Sequence, residues 1–138
     1  MRRTDQRRAA VIAVYQHDLT GRPLEQTLEP RAGPFTRALA TAAVDRAPEL
    51  DELIGRHAQG WAVTRIAPLE RSIMRVALIE MLHGEEVPAS DPIAPEGAID
   101  EAVETAKIFC GAQAPGFVNG ILDAVLHAVR ENEHTATA

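Results

Sequence analysis

From Ile73 to Leu82 the chain is apolar at every position except Arg75 and Glu80. A helix that is apolar nearly all round belongs at the centre of a bundle, not on its surface. The two charges on it must reach a rim or a partner, because an unpaired buried charge is costly. The rest of the chain then has to supply the walls. With 138 residues, and roughly 100–200 residues per domain, one domain is expected. The walls read as helices too. No stretch alternates with a period of two, and the Asn119-Gly120 pair lies inside a helical pattern rather than between strands.

The spacing predicts a first helix from about Asp5 to Leu19, with Thr4 as its N-cap and Gly21 and Pro23 as its stop. Val11, Val14, Tyr15 and Asp18 share one of its faces, and Arg3 and Arg7 extend along the helix beyond the apolar stripe. A short helix over 23–28 and a turn-rich link over 30–34 follow. The next helix, Phe35 to Ala47, buries Phe35, Leu39, Ala42 and Ala43 and is broken or restarted by Pro48. Leu50, Leu53, Ile54, His57 and Trp61 repeat at helical spacing up to a weak end at Gly60. After the central helix comes a loop from His83 to Pro95. A helix from Ala98 to Cys110 then carries a core face that includes Val103, Ala106, Phe109 and Cys110, with Glu104 and Lys107 paired on its wet face. Gly111 stops it, and Pro115 opens a last helix with a stripe of Phe117, Val118, Ile121, Leu122, Val125 and Val129. The expectation is an all-α bundle of about six or seven helices. Residues 1–130 form the domain, and 131–138 form a frayed tail.

Most kinds of chemistry find no foothold in this chain. Cys110 is the single cysteine, which excludes an intrachain disulfide and a multi-cysteine metal site. The five histidines show no ligand spacing, and Walker, GxGxxG and GxSxG patterns are missing. Neither catalytic residues, nor a metal, nor a cofactor is therefore expected. His57 and Cys110 read as partly or fully buried structural side chains, and the Asp51-Glu52 and Glu85-Glu86 pairs as solvated charge. No apolar run reaches the ~18 residues of a membrane span, and no signal-peptide core follows the N-terminal arginines, so a cytoplasmic protein is expected. The net charge of −6 disfavours a general nucleic-acid binder. Yet Arg2, Arg3, Arg7 and Arg8 face only Asp5 within residues 1–8, which makes a basic arm on an acidic body.

Two segments stand out against this background. One is the arginine arm beside Tyr15. The other is Pro115-Gly116-Phe117-Val118-Asn119-Gly120, where asparagine followed by glycine inside a helix costs roughly 1 kcal/mol relative to alanine. Phe117 can stack on an unpaired base while free amides near a helix start take a phosphate. The competing explanation is a tight helix crossing at Gly120 with Phe117 in the core, and the residues alone favour the crossing.

Taken together, several blocks in order resemble the NusB family of bacterial transcription antitermination factors. They are Arg2-Arg3 through Arg7 to Ala13-Val14-Tyr15; Leu50-Asp51-Glu52-Leu53-Ile54 through His57 to Trp61; Leu69-Glu70-Arg71-Ser72-Ile73-Met74-Arg75-Val76-Ala77; Ala98-Ile99-Asp100-Glu101-Ala102-Val103-Glu104 with Ala106-Lys107; and Phe117-Val118-Asn119-Gly120-Ile121-Leu122-Asp123. The resemblance implies two packed helical subdomains, no catalysis, and binding of single-stranded boxA RNA in ribosomal RNA transcripts. It implies joint action with NusE, a small-subunit ribosomal protein, in the RNA polymerase antitermination complex. Carried over, the RNA contacts are Arg2, Arg3, Arg7, Phe117 and Asn119, and Tyr15, Glu70 and Arg75 point toward the NusE and RNA face. The RNA reading expects the arginine arm and Phe117 to converge on one shared surface of the acidic body. Charge reversal at Arg3 and Arg7 is then expected to lower RNA retention with the fold intact. Some members of the family are homodimers, a state the sequence leaves open. A related alternative is the NusB-like accessory domain of ribosomal RNA methyltransferases. A helical hydrolase built on carboxylates and histidines is a third reading, and it needs ligands that cluster in the fold. This chain departs from the family pattern in Thr4 and Asp5, in Gln113-Ala114-Pro115-Gly116, in Glu96 and in a longer loop near Ala89–Ala94. These changes remove positive charge from the expected RNA face, so weaker or more partner-dependent RNA binding is expected.

Overall fold

The computed structural model describes residues 2–60, 62, 65–89 and 91–137, with side chains described as far as residue 133. Among these residues the chain forms α1 (Arg3–Thr20), α2 (Leu24–Thr27), α3 (Pro34–Asp45), α4 (Ala47–Arg56), α5 (Pro68–Leu82), α6 (Pro95–Phe109) and α7 (Ala114–Thr137), with a 3-10 turn at Gly84–Glu86 and no strand. Prolines sit in the first turn of α3, α4, α5 and α6, where the missing N–H costs nothing.

Helix α5 is the axis of the fold. Every residue from Ser72 to Ile79 is buried, and α1, α3, α4, α6 and α7 all pack against it. Two groups pack on it: α1 to α3, which contact one another, and α6 with α7, with α4 against α7 and α3. This is the expected arrangement of two helical subdomains. Ion pairs fix the directions. Asp18, late in α1, meets Arg71 early in α5, whereas Arg7 early in α1 meets Glu80 late in α5, so the two helices run antiparallel. Arg130 of α7 reaches Glu96 at the start of α6, which makes those two antiparallel as well.

The charges on the central helix thus find partners inside the molecule. Arg75, 6% exposed, donates from Nε and Nη2 to the two carboxylate oxygens of Asp51 on α4 at 2.7 and 2.6 Å. It also lies 3.5 Å from Asp18.

Several local expectations change. Thr4 does not cap α1; Arg2 occupies the cap position without a side-chain bond, and the Thr4 hydroxyl instead donates to Glu101 on α6 at 2.9 Å. A long-range acceptor has displaced the local one. Gly21 ends α1 as expected, in the left-handed region at φ 73°. Helix α4 stops at Arg56, where the His57 N–H bonds to the Ile54 carbonyl at 3.2 Å, and the chain then turns left-handed at Gln59 (φ 43°) and Gly60 (φ 87°); Trp61, expected on its stripe, lies outside the described residues. Helix α6 starts at Pro95 rather than Ala98. Phe109, expected in its core face, is 39% exposed beside exposed Ile108, because α6 ends at Phe109 and leaves its last turn uncovered. Helix α7 continues through the stretch expected as a tail, to Thr137.

Candidate nucleic-acid and partner interface

The arginine arm is built by three elements. Phe35, in the first turn of α3, is buried, and Thr36 beside it donates its hydroxyl proton to the Gln6 carbonyl of α1 at 3.1 Å. That bond docks the start of α3 against the start of α1. The guanidinium of Arg3 lies 4.1 Å from the centre of the Phe35 ring, and that of Arg7 lies 5.5 Å away. Arg3 also donates to the Gln6 side chain at 2.6 Å. Arg2, whose side chain is 83% exposed, lies 3.6 Å from Asp5.

Arg7 differs from its neighbours. Its Nε and Nη2 donate to both carboxylate oxygens of Glu80 at 2.6 and 3.0 Å, and Glu101 stands 3.8 Å from its Nη1. Its side chain is only 12% exposed, and that of Glu80 is 7% exposed. The fold therefore spends this cation on two carboxylates brought in from α5 and α6. Reversing its charge would set a third carboxylate against these two, so the expectation that Arg7 reversal leaves the fold intact does not survive. Arg8 is half-buried, with its Nε enclosed. Of the four arginines, Arg2 and Arg3 stand at the surface.

Phe117 belongs to the other end of α5. It is half-buried and borders two open depressions. One, of about 660 Å³, is lined by Arg65, Ile66, Ala67, Glu70, Gln113, Ala114, Gly116 and Phe117. The other, of about 300 Å³, is lined by His57, Ala58, Gln59, Gly116, Phe117, Gly120, Ile121 and Ala124. A Cβ added at Gly116 or Gly120 would meet nothing within 4 Å. The tight crossing expected at Gly120 is thus absent, and the glycine opens a depression instead of closing a helix contact. Asn119 is exposed.

The sequence-predicted residues therefore separate into two places, and the expected convergence of the arginine arm and Phe117 on one surface is not met. Glu70, which lines the Phe117 depression, and Glu80, which holds Arg7, lie on α5 ten positions and thus about 15 Å apart. Arg2, Arg3 and Arg7 gather at the Glu80 end. At the Glu70 end stand Phe117 and half-buried Tyr15, the latter one turn before Asp18, whose partner Arg71 follows Glu70. Arg75 is enclosed between Asp51 and Asp18 and presents no surface to a partner. Burial pushes the Cys110 thiol up, and the negative charge of Glu70 adds to that shift.

Phe35 escaped the sequence reading as a functional residue because its stripe position marks it as core; only the tertiary contact shows the ring facing two guanidinium groups. One further cluster emerges, at His83, Glu85 and Glu86, whose ligand-type atoms lie within 4.8 Å of one another. Arg46 occupies Glu86 through two bonds of 2.6 and 3.1 Å and also grips Glu49 at 2.7 Å. The group is an ion-pair cluster that ties the α3–α4 junction to the 3-10 turn.

The architecture and surface define an all-helical protein with a short cationic edge at one end of a buried axis and an aromatic cleft at the other. The NusB family profile matches residues 4–127. A curated relative, the transcription antitermination protein NusB of Symbiobacterium thermophilum, is 35% identical over 147 aligned positions, covering 94% of this chain and 92% of the relative. This chain belongs to the NusB family. Among solved structures, that of T. maritima NusB superposes with a TM-score of 0.77 at 28% identity, covering 92% of each chain. A chain from the crystal structure of antitermination factors NusB and NusE in complex with double-stranded RNA shares the fold, with a TM-score of 0.74 at 23% identity and coverage of 93% of this chain and 99% of that one.

Proposed function

We propose that this protein is a non-catalytic antitermination factor that binds boxA RNA of ribosomal transcripts jointly with NusE. The observation that carries the reading is the arm at the start of α1, where exposed Arg2 and ring-stacked Arg3 form a cationic edge on a chain of net charge −6. Planar guanidinium groups suit bidentate phosphate contacts. The occurrence of NusB with NusE and RNA in a solved complex of the same fold supports the choice of partners.

In this reading Arg2 and Arg3 take phosphates. Phe117 offers a stacking face for an unpaired base, and exposed Asn119, two residues on and on another face of α7, offers a polar group. Tyr15 and Glu70 meet NusE, and Glu70 supplies the negative charge that a basic ribosomal protein is steered by. Arg7 and Arg75 shape the surface from within. Because the arm keeps only Arg2 and Arg3 at the surface, RNA affinity of the isolated chain is low and rises when NusE supplies a second surface.

Co-purification with tagged NusE, with and without a single-stranded boxA RNA, tests the assignment. Retention of the RNA only when both proteins are present is the expected result. Failure to retain NusE under either condition refutes it, and tight RNA binding by the isolated chain refutes the partner dependence.

A further inference from the structure

We propose that Phe35 is a positioning residue of the cationic arm: its ring holds the Arg3 guanidinium in a fixed plane while Glu80 keeps Arg7 out of contact with ligand, so that Arg3 alone of this pair meets a phosphate. The inference rests on the RNA-binding reading above and refines it.

The ring of Phe35 is buried, and its contact with Arg3 at 4.1 Å is closer than that with Arg7 at 5.5 Å. A guanidinium that lies on an aromatic face keeps its N–H edge free, since stacking uses the plane and hydrogen bonding uses the rim. The bond from Arg3 to Gln6 at 2.6 Å fixes a second point of the same group. The side chain is thereby ordered before any ligand arrives, and ordering in advance reduces what association costs. Over the same ring, the two bonds from Arg7 to Glu80 occupy its Nε/Nη2 fork, and Glu101 stands 3.8 Å from its Nη1. The charge of Arg7 is thereby already matched.

The test measures binding of a fluorescent single-stranded boxA RNA by anisotropy across a salt series, with the full chain and NusE present, alongside thermal melts. Arg3→Ala is expected to flatten the log–log salt slope by about 0.7, the loss of one phosphate contact on a single strand, and to leave the melting temperature near wild type. Phe35→Leu is expected to weaken binding about two- to five-fold, the range of an exposed cation–π contact, with no further loss when combined with Arg3→Ala. Phe35→Tyr retains the ring and should restore binding. Arg7→Met should lower the melting temperature and leave the salt slope unchanged.

Arg3→Lys covers the case in which Phe35→Leu fails to fold. Lysine keeps the charge and loses the stacked plane, so binding should fall by about the two- to five-fold expected of Phe35→Leu, with the salt slope kept. Wild-type binding by Arg3→Lys, or by a folded Phe35→Leu, overturns the positioning role. Additive losses in the Arg3→Ala/Phe35→Leu double variant overturn it too. A flattened slope in Arg7→Met overturns the claim that Glu80 keeps Arg7 from the ligand. Unchanged affinity and slope in Arg3→Ala refute the RNA reading of the arm itself, a separate result.

Discussion

Arg75 shows how a residue changes its meaning between sequence and structure. Its place in a family motif suggested a partner contact, but its guanidinium is enclosed and shared by Asp51 and Asp18. Removing one member of a buried pair leaves the other charge without compensation. Arg75→Ala should therefore lower unfolding free energy by about 3 kcal/mol, the low end of the range because both aspartates keep some solvent contact, as read by urea denaturation. Asp18 makes the same network pH-dependent. Burial alone would raise its pKa, but the hydrogen bond from Arg71 and the charges of Arg75 and Arg71 outweigh that and hold it below its ordinary value of 3.8. A carboxylate with a depressed folded pKa contributes stability above its unfolded value and loses that contribution as pH falls through the folded one. Stability is thus expected to drop on acidification below about pH 4, and Asp18→Asn should flatten that acid limb in a pH series of melts. The raised Arg75 titrates far above this window and adds nothing to the acid limb.

At the scale of elements, α7 carries the clearest conflict between local preference and use. Gly116 and Gly120 weaken a helix, and both are open to solvent. Gly120→Ala should raise stability by about 0.5–1 kcal/mol, seen as a higher melting temperature. If the depression beside Phe117 receives a base or a side chain, the same variant should weaken assembly with NusE and boxA RNA. Unchanged assembly would show that the glycine serves no contact. Helix identity was legible in the periodicity of α1, α3, α6 and α7, each of which turns an apolar stripe inward, and in the all-round apolar character of α5. Ends were less legible. Thr4 found Glu101 across the bundle, and the last turn of α6 was left bare by its neighbours; neither fact is local.

At the scale of the whole molecule, charge distribution decides how strongly an anion is held. Arg7 is matched by Glu80 and Glu101, Arg2 lies near Asp5, and Arg130 pairs with Glu96. In the arm only Arg2 and Arg3 stay exposed, so the salt dependence of RNA binding by the isolated chain is expected to be shallow. Its log–log slope should be near −1.4, about 0.7 for each of two phosphates. A slope several times steeper in a titration at increasing salt would mean that the internal pairs open on binding.

The amino-acid sequence by itself determined the all-helical class, the central place of α5 and the family blocks, since apolar spacing and proline placement act within a turn or two of chain. It also marked the arginine arm and Phe117 as unusual. Only the tertiary structure decided that these two lie toward opposite ends of α5, that Arg7 and Arg75 are enclosed, and that Phe35 faces Arg3. The reason is physical: burial and ion pairing depend on which distant carboxylate or ring the packed helices bring within a few ångströms, and that is a property of the packed bundle, not of any one segment.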